Sequence, residues 1–374
     1  MLPLKILFFV NSLASPGGGA ERILVCISRA LAKRGHDVTV LTFDAPADLD
    51  FYPLGSKVDR LRLGGSSARR GALASVVRAT RLRSAVAKIE PDVAVAFMHS
   101  AFIPAALALM GTGVPLIGSE RTAFDHYRSR PFQRALLLAT APLLYRMTVN
   151  GQGIRRGFPK PLASRMEVIP NPVGRAVGSA DPVGPELKTL LSVGGLRPEK
   201  DHKTLISAFS RIADRFPDWR LRIVGEGPLL DALREQASAL GLGDRIQLAG
   251  ATKGVESEYL SAQLFVLPSI YEAFPNCLAE ALAHGLPAIG YATCPGTNEL
   301  IDPGVNGELA GAGDRVASLA ECLAGLMSAP TRRAKMGRAA PATVACYHLA
   351  HIVTLWEELL RGAADRSSGA GLPR

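Results

Sequence analysis

The sequence predicts an α/β protein built from two parallel-sheet domains. Short apolar runs alternate with helix-like runs along most of the chain, which is typical of parallel sheets covered by helices on both faces. A length of 374 residues suits about two domains. A segment rich in proline and glycine, residues 171–185, separates two halves with the same alternation and is predicted to be a linker.

In the first half, apolar runs of strand length are followed by longer runs of good helix formers. The predicted strands are residues 5–10, 37–42, 93–97, 114–119 and 147–150. The predicted helices are residues 21–34, 72–88, 101–110 and 131–145. The opening run K-I-L-F-F-V is short and leads directly into a polar loop, so we interpret it as a buried strand and not as a secretion signal.

The second half repeats the pattern. Its predicted strands are residues 189–193, 221–224, 246–248, 264–267 and 288–290, and its predicted helices are residues 203–216, 229–240, 277–284 and 317–327. We expect domains at residues 1–172 and 173–344, a helix at about 345–362 that packs back on the first domain, and a disordered tail at 363–374. Ligands of open α/β sheets bind at the carboxyl ends of the strands, so two such domains facing each other would form a binding cleft.

Composition narrows the class of protein. The five cysteines are scattered and lack a C-x-x-C pair, which favours reduced thiols in a cytosol over a disulfide framework or a zinc site. The longest later apolar run, residues 135–145, is far below the ~20 residues that span a bilayer, so no transmembrane segment is expected.

Charge is distributed unevenly between the halves. Residues 1–172 carry a net charge of +12 and residues 173–374 a net charge of −2. The basic residues concentrate in residues 60–88 and 121–165, which form either solvated helix faces or a surface for an anionic partner such as membrane headgroups or a lipid diphosphate. Nucleic acid is not expected as a partner, because these stretches lack interleaved aromatic residues.

The most informative segment is residues 268–290, which contains Glu272 and Glu280. It predicts a strand end, a loop and a helix, with one carboxylate in the loop and the other about one turn into the helix. The backbone amides of Phe274, Asn276 and Cys277 would point out of the helix N-terminus, where an anion is favoured. Carboxylates beside such amides suit a ligand with phosphate at one end and hydroxyls at the other, as in a nucleotide sugar.

Other strand ends also carry polar or glycine-rich signals. One candidate phosphate loop is Gly17-Gly18-Gly19, and the loop around Gly225 is a tight turn that would line a nucleotide pocket. Further candidates are the cations Arg197, Lys200 and Lys203, which could hold a diphosphate, and the strand-end residues His99, Glu120 and Arg121. Asp48 and Asp50 have the D-x-D form used for divalent metals but lack supporting carboxylates nearby, so no metal site is predicted.

Several motifs together resemble the family-4 retaining glycosyltransferases of the GT-B fold. The matching segments are G-G-G-A-E-R, V-G-G-L-R-P-E-K, I-V-G-E-G-P and E-A-F-P-N-C-L-A-E-A-L-A-H-G-L-P, the last being the E-x7-E motif of that family. S-E-R with F-P-N is similar to the branch that acts on polyprenyl-diphosphate-linked glycans. The resemblance covers roughly residues 5–360 and implies two Rossmann-like domains facing across a cleft.

The resemblance also implies roles for individual residues. Glu272 would contact donor-sugar hydroxyls, Glu280 would bind the ribose, and Lys200 would neutralise the diphosphate. The backbone from Ala273 to Asn276 and the loop glycines Gly18 and Gly19 would hold the sugar and phosphates. Gly195 occupies the position of a family arginine, so Arg197 is a candidate replacement. The resemblance implies no cofactor and no required metal.

The predicted function is transfer of a hexose or N-acetylhexosamine from a nucleotide sugar, UDP rather than GDP, to a lipid-linked glycan. The predicted catalytic residues are Glu272, Lys200, Arg197 and Glu120. The predicted substrate-binding residues are Gly18, Gly19, His99, Arg121, Gly225, Ala273, Phe274, Pro275, Asn276, Cys277 and Glu280. We expect a cytoplasmic protein held peripherally on the inner face of the plasma membrane. A nucleotide-sugar epimerase of the same fold and a non-catalytic nucleotide-binding subunit remain alternatives.

Overall fold

The computed structural model describes residues 2–14, 19–64, 72–252 and 254–368, with the backbone alone for residues 72–75, 367 and 368. The chain divides into two compact units. The first comprises residues up to Pro170 together with those from Ala350 onward, and the second is Asn171–Leu349. The predicted linker lies in the second unit, where the amide of Ala180 donates to the carbonyl oxygen of His284 at 2.7 Å.

The first unit is a parallel sheet with helices between its strands. Its strands are β1 (Lys5–Phe9), β2 (Asp37–Thr42), β3 (Asp59–Arg62), β4 (Val93–Phe97), β5 (Leu116–Ser119), β6 (Arg146–Val149) and β7 (Met166–Val168). Its helices before the linker are α1 (Gly19–Lys33), α2 (Ala72–Ile89), α3 (His99–Ala108), α4 (Pro131–Thr140), α5 (Gln152–Gly157) and α6 (Lys160–Ala163). The strand order is β3-β2-β1-β4-β5-β6-β7.

The second unit repeats this design. Its strands are β8 (Lys188–Val193), β9 (Trp219–Val224), β10 (Ile246–Leu248), β11 (Leu264–Val266), β12 (Ala288–Tyr291) and β13 (Gly307–Ala310). Its helices are α7 (His202–Ser210), α8 (Leu230–Ala239), α9 (Val255–Ser261), α10 (Asn276–Ala283), α11 (Pro295–Asn298), α12 (Arg315–Met327) and α13 (Pro330–Thr343). The order is β10-β9-β8-β11-β12-β13, and all pairs are parallel. Two parallel sheets confirm the predicted fold class.

The final helix, α14 (Leu349–Ser368), packs on the first unit. Its fully buried Trp356 stacks on Phe97 at 5.9 Å between ring centroids, and its Glu357 accepts a hydrogen bond from Arg34 at 2.8 Å. The prediction of disorder from residue 363 was wrong for the described part of the tail. The helix continues to Ser368, because Ala363 and Ala364 are buried against the first unit.

Other differences from the predicted elements have simple causes. The strands β3, β7 and β13 were not predicted. All three lie at sheet edges, and their sequences D-R-L-R, M-E-V and G-E-L-A lack the apolar run of a central strand. The helix predicted over residues 131–145 ends at Thr140, and Pro142 lies in the short 3-10 turn that follows. None of the helices in the described part of the chain has the length and apolar content needed to span a bilayer.

Candidate active site

The strand order of the second sheet reverses between β8 and β11. From β8 the chain continues to β9 on one side, and from β11 it continues to β12 on the other. Loops that leave neighbouring strands in opposite directions open a crevice at the carboxyl edge, where open α/β sheets bind ligands. Lys200 follows β8 and Glu272 follows β11, so the sheet brings together two residues that are 72 positions apart in the sequence.

Lys200 and Glu272 form an ion pair at this point. The ammonium donates to Glu272 Oε1 at 2.5 Å, and the hydroxyl of Ser269 donates to the same oxygen at 2.7 Å. Burial alone would lower the pKa of Lys200, but the Glu272 carboxylate outweighs burial and raises it above its ordinary value. The side chain of Lys200 remains 23% exposed, so an incoming anion can still reach its charge.

The two loops that carry this pair are tied to each other. The amide of Ile270 donates to the carbonyl oxygen of Glu199 at 2.9 Å. Arg315 reaches both loops, donating to Asp201 Oδ2 at 3.1 Å and to the carbonyl oxygen of Pro268 at 2.8 Å. Arg315 was not singled out from the sequence, because no local motif marks a residue that acts through such distant contacts. It is a positioning residue for both loops.

The N-terminus of α10 presents free amides beside the ion pair. In the described chain, the backbone N–H groups of Ala273, Phe274, Asn276 and Cys277 have no acceptor within hydrogen-bonding distance. The N-cap residue Pro275 provides no side-chain cap, so these donors are available to a phosphate or a sugar hydroxyl. The amide geometry that was predicted from the sequence is therefore present.

The side chains of this segment contribute less than its backbone. Phe274 is buried, and its ring packs edge-on against Tyr347 at 5.3 Å between centroids. Burial raises the pKa of the Cys277 thiol to about 12, which keeps it protonated near neutral pH. Asn276 accepts a hydrogen bond from Asn171 through its side-chain oxygen at 3.0 Å. For Phe274 and Cys277, the backbone amide is the group that remains free to bind.

Glu280 lies further along α10 and is half-buried. The hydroxyl of Tyr259 donates to Glu280 Oε2 at 3.1 Å. Tyr259 comes from α9, a helix that was not predicted, so no signal in the sequence linked it to Glu280. Its hydroxyl therefore helps to orient the carboxylate of Glu280.

Gly225 lets two strand-end loops come into contact. Its φ angle is +149°, and a Cβ atom there would lie 2.0 Å from the carbonyl oxygen of Gly194, in the loop after β8. Only glycine fits such an approach. Arg197, in the same β8 loop, is exposed and forms no ion pair within the described residues. Its guanidinium is therefore available to an anion in solution.

The first unit gathers another set of predicted residues. Glu120, at the end of β5, is completely buried, and its Oε1 accepts hydrogen bonds from the amides of Arg121 and Thr122, each at 2.9 Å. Its Oε2 accepts a short hydrogen bond from the hydroxyl of Tyr127 and lies 3.8 Å from Nδ1 of His99. Because Glu120 is completely buried, it can affect ligand binding only by positioning the neighbouring groups that it contacts. Tyr127 was not singled out from the sequence.

Arg121 turns towards the sheet. Its guanidinium lies 4.9 Å from the centroid of the Phe97 ring, and its Nε donates to Ser119 Oγ at 3.1 Å. Burial lowers the pKa of Arg121 to about 10, opposed by the charge of Glu120. Gly19 is exposed at the start of α1, whereas Gly18 lies outside the described residues.

Both aspartates of the D-x-D segment, Asp48 and Asp50, bind to other groups of the first unit. Asp48 accepts from the amide of Ala45 at 2.7 Å, and Asp50 pairs with Arg60 and Arg62 at 3.0 and 3.1 Å. Across the described ranges, no group of three histidine, cysteine, aspartate or glutamate residues is placed to hold a metal ion.

Comparisons with known proteins agree with this architecture. The family model for Glycosyl transferases group 1 matches residues 181–343, and the model for Glycosyltransferase Family 4 matches residues 17–176. An uncharacterized glycosyltransferase of Haemophilus influenzae is 27% identical over 309 residues, covering 82% of this chain and 85% of that protein. The lipopolysaccharide 1,6-galactosyltransferase of Escherichia coli is 26% identical over 323 residues, with the same two coverages of 82% and 85%.

Solved structures share the fold. The crystal structure of Anabaena HepE in complex with UDP superposes with a TM-score of 0.77 and 19% identity, covering 96% of this chain and 100% of that one. Two family models that together account for both units, and relatives that match most of the chain, identify the family. The chain belongs to the GT-B glycosyltransferases that these two family models describe.

Proposed function

We propose that this glycosyltransferase moves a hexose or N-acetylhexosamine from a UDP-sugar to a lipid-linked glycan, with retention of configuration at the anomeric carbon. The observation that carries the proposal is the Lys200–Glu272 pair beside the free amides of α10. A cation and several N–H donors suit a diphosphate, and a carboxylate suits sugar hydroxyls. The UDP named in the Anabaena structure and the lipopolysaccharide named in the E. coli relative support the donor and acceptor classes.

The chemistry requires stabilisation of a leaving diphosphate. As the bond between the anomeric carbon and the diphosphate oxygen breaks, negative charge grows on the phosphate, and Lys200 with the α10 amides would neutralise it. Glu272 would exchange its lysine contact for hydroxyls of the sugar. The acceptor oxygen bonds to the same face of the anomeric carbon, and its proton passes to the departing diphosphate oxygen. No step in this scheme calls for a metal ion.

The direct test is turnover of two conservative variants. Glu272→Gln and Glu280→Gln should each remove most of the transfer activity, because a neutral amide is a weaker acceptor for hydroxyl groups than a carboxylate. Glu235→Gln, at an exposed position on α8, is the matched control and should behave as wild type. Turnover close to normal in both site variants would refute the assignment of this site to the donor sugar.

Two further measurements address the epimerase and the non-catalytic subunit. Incubation with a UDP-sugar and no acceptor should leave the sugar unchanged, whereas an epimerase would convert it. A thermal shift with UDP-sugars but no transfer to any polyprenyl-diphosphate sugar would instead indicate a non-catalytic subunit.

Full activity after treatment with EDTA is expected if no metal participates.

We also propose peripheral attachment to the cytoplasmic face of the membrane, supported by the basic character of the first half. The two basic stretches differ in the structure. In residues 60–88, Arg60 pairs with Asp44 and Asp50, and Arg83 donates to the carbonyl oxygens of Ala108 and Met110. Arg69 and Arg70 lie outside the described residues. In residues 121–165, Arg146 pairs with Glu167 and Arg165 donates to the carbonyl oxygen of Leu144, but Arg128, Arg130 and Arg134 are all exposed within a short segment, and this group favours the stretch as the anionic-lipid surface.

A further inference from the structure

The helix α4 exposes apolar side chains to solvent. Phe132 is 75% exposed and Leu138 is 44% exposed, and Leu143, in the turn after the helix, is 42% exposed. Leu137 and Thr140 occupy the opposite side of the helix and are buried. The exposed positions follow helical spacing, so they form one continuous stripe along the outside of the helix.

This arrangement reverses the usual pattern of a surface helix. A helix at a protein surface normally buries its apolar stripe and turns charged residues to water. In α4 the outer side also includes Pro131, Ala135 and Ala139, and Arg134 is the only charged residue of the helix. A contiguous apolar surface of this kind marks an interaction site in a folded protein.

Exposed arginines lie next to the apolar stripe. Residues 121–165 contain nine lysines and arginines and one acidic residue, Asp125, although Arg121 turns inward and Arg146 pairs with Glu167. Asp125 pairs with Arg128 at 2.9 Å, but 79% of the Arg128 side chain stays exposed. Arg130 and Arg134 are exposed at the start of α4 and within it, and Arg156 is exposed on α5. An apolar stripe with arginines around it matches the two components of an anionic bilayer, acyl chains and phosphate headgroups.

We infer that α4 lies on an anionic lipid bilayer. We call the exposed side of α4 with Arg128 and Arg130 the α4 face. Phe132 and Leu138 would enter the boundary between headgroups and acyl chains, and the arginines would contact lipid phosphates. The inference rests on the proposed function. An acceptor anchored in lipid must be reached at the bilayer surface, so an enzyme that uses such an acceptor has to bind there.

The position of α4 in the chain fits that purpose. The helix begins shortly after His126 and Tyr127, and those rings lie against His99 at 5.0 and 5.3 Å between centroids. A bilayer bound to the α4 face would therefore lie beside the strand-end cluster of the first unit, which contains Glu120 and His99. The headgroup sugars of a lipid-linked acceptor would be held near that cluster.

Vesicle binding of the full chain tests the inference. Wild type should co-sediment with phosphatidylglycerol-containing vesicles, and binding should weaken as salt is raised. The double variant Phe132→Ser with Leu138→Ser should bind at least about tenfold more weakly, because it removes the apolar anchors. Val177→Ser with Leu187→Ser, two exposed apolar positions of the second unit, is the matched control and should bind like wild type. Equal binding by the two double variants would overturn the inference.

A fluorescent probe distinguishes insertion from surface attraction. Phe132→Trp should show a blue-shifted emission with phosphatidylglycerol vesicles, since the indole moves out of water, whereas Val177→Trp should not. Because both natural tryptophans are buried, their emission provides a constant background. An unshifted Phe132→Trp spectrum in the vesicle-bound protein would overturn the inference.

Two controls distinguish lipid binding by the α4 face from self-association and from catalysis. If wild type forms a dimer that the Phe132→Ser, Leu138→Ser variant cannot form, and neither binds vesicles, then the α4 face is a contact between copies and the inference fails. Transfer to a water-soluble acceptor analogue should be unchanged in this variant. Loss of all transfer by wild type with every acceptor would refute the proposed function while leaving vesicle binding as an independent result.

Discussion

Each unit places a buried glutamate at the carboxyl edge of its parallel sheet, but the two glutamates have different partners. Glu272 in the second unit is held by an ammonium and a hydroxyl, from Lys200 and Ser269. Glu120 in the first unit is held by two backbone amides and the phenol of Tyr127. A charged pair beside free amides can rearrange around an anionic ligand, whereas a carboxylate enclosed by fixed donors serves as a scaffold. The comparison assigns ligand binding to one glutamate and positioning to the other.

The largest effect should come from breaking the pair in the second unit. Lys200→Met should lower kcat/KM by roughly 10²–10³-fold, because it removes a cation aimed at the leaving diphosphate. Combining it with Glu272→Gln should cost less than the sum of the two single effects, since both changes disrupt one interaction. Steady-state kinetics of the three variants provides the measurement. Fully additive losses would show that the two residues act independently.

The next effect concerns stability of the first unit. Glu120→Ala should lower its free energy of unfolding by about 3 kcal/mol, because the change leaves the Tyr127 hydroxyl and two amides without an acceptor inside the protein. Tyr127→Phe removes one donor and should lower it by about 1 kcal/mol. Each unit contains one tryptophan, Trp356 in the first and Trp219 in the second, so denaturation of single-tryptophan proteins reports each unit separately.

The matched variant in the second unit tests whether the two glutamates differ in their contribution to stability. Glu272→Ala leaves Lys200 with an ammonium that is partly exposed and can be hydrated, and it leaves only one buried donor, the Ser269 hydroxyl, without an acceptor, so the loss of stability should be smaller, about 1–2 kcal/mol. If Glu272→Ala destabilised its unit more than Glu120→Ala destabilises the first, the assignment of scaffold and ligand-binding roles would be reversed.

The sequence revealed the second-unit site more fully than the first. Strand, loop and helix around Glu272 follow one another within a short segment, and local patterns identify such segments well. Both parallel sheets were predictable because central strands such as β4 and β11 are buried along their whole length and are continuously apolar. The edge strands β3, β7 and β13, the hydrogen bond from Tyr127 to Glu120 and the bridging role of Arg315 depend on contacts between distant residues. The apolar side of α4 is typical of a core face in the sequence, and only the fold shows that it is turned outward.

A third effect depends on pH and belongs to the second unit. Burial, with a smaller contribution from the charge of Lys200, lowers the pKa of His202 to about 4. The unfolded chain binds a proton near pH 6.5 while the folded chain does not, so stability is full above pH 6.5 and falls as pH decreases towards 4. The expected loss is about 2–3 kcal/mol, read from Trp219. His202→Asn should remove this dependence, and a slope that persisted in the variant would assign it to other groups.

The smallest effect is the acid sensitivity of the first unit. Burial alone would raise the pKa of Glu357 on α14, but hydrogen bonds from Arg34, Arg361 and His36 outweigh it and lower the pKa to about 2. Because the folded pKa lies below the unfolded value of about 4.3, this stability is present above that pH and is lost as pH falls towards 2. Trp356 should report a loss of about 1–2 kcal/mol, since the arginines are partly hydrated.

The acid effect also tests whether the two units respond separately. Glu357→Gln should reduce the loss between pH 4.3 and 2 in the first unit, where Asp44 also has a lowered pKa, while leaving the His202 transition of the second unit unchanged. The two pH windows meet only near pH 4, so a single titration monitored at Trp219 and Trp356 in separate single-tryptophan proteins resolves them. A shift of the Trp219 transition in Glu357→Gln would show that α14 stabilises both units. The two units would then not respond to acid separately.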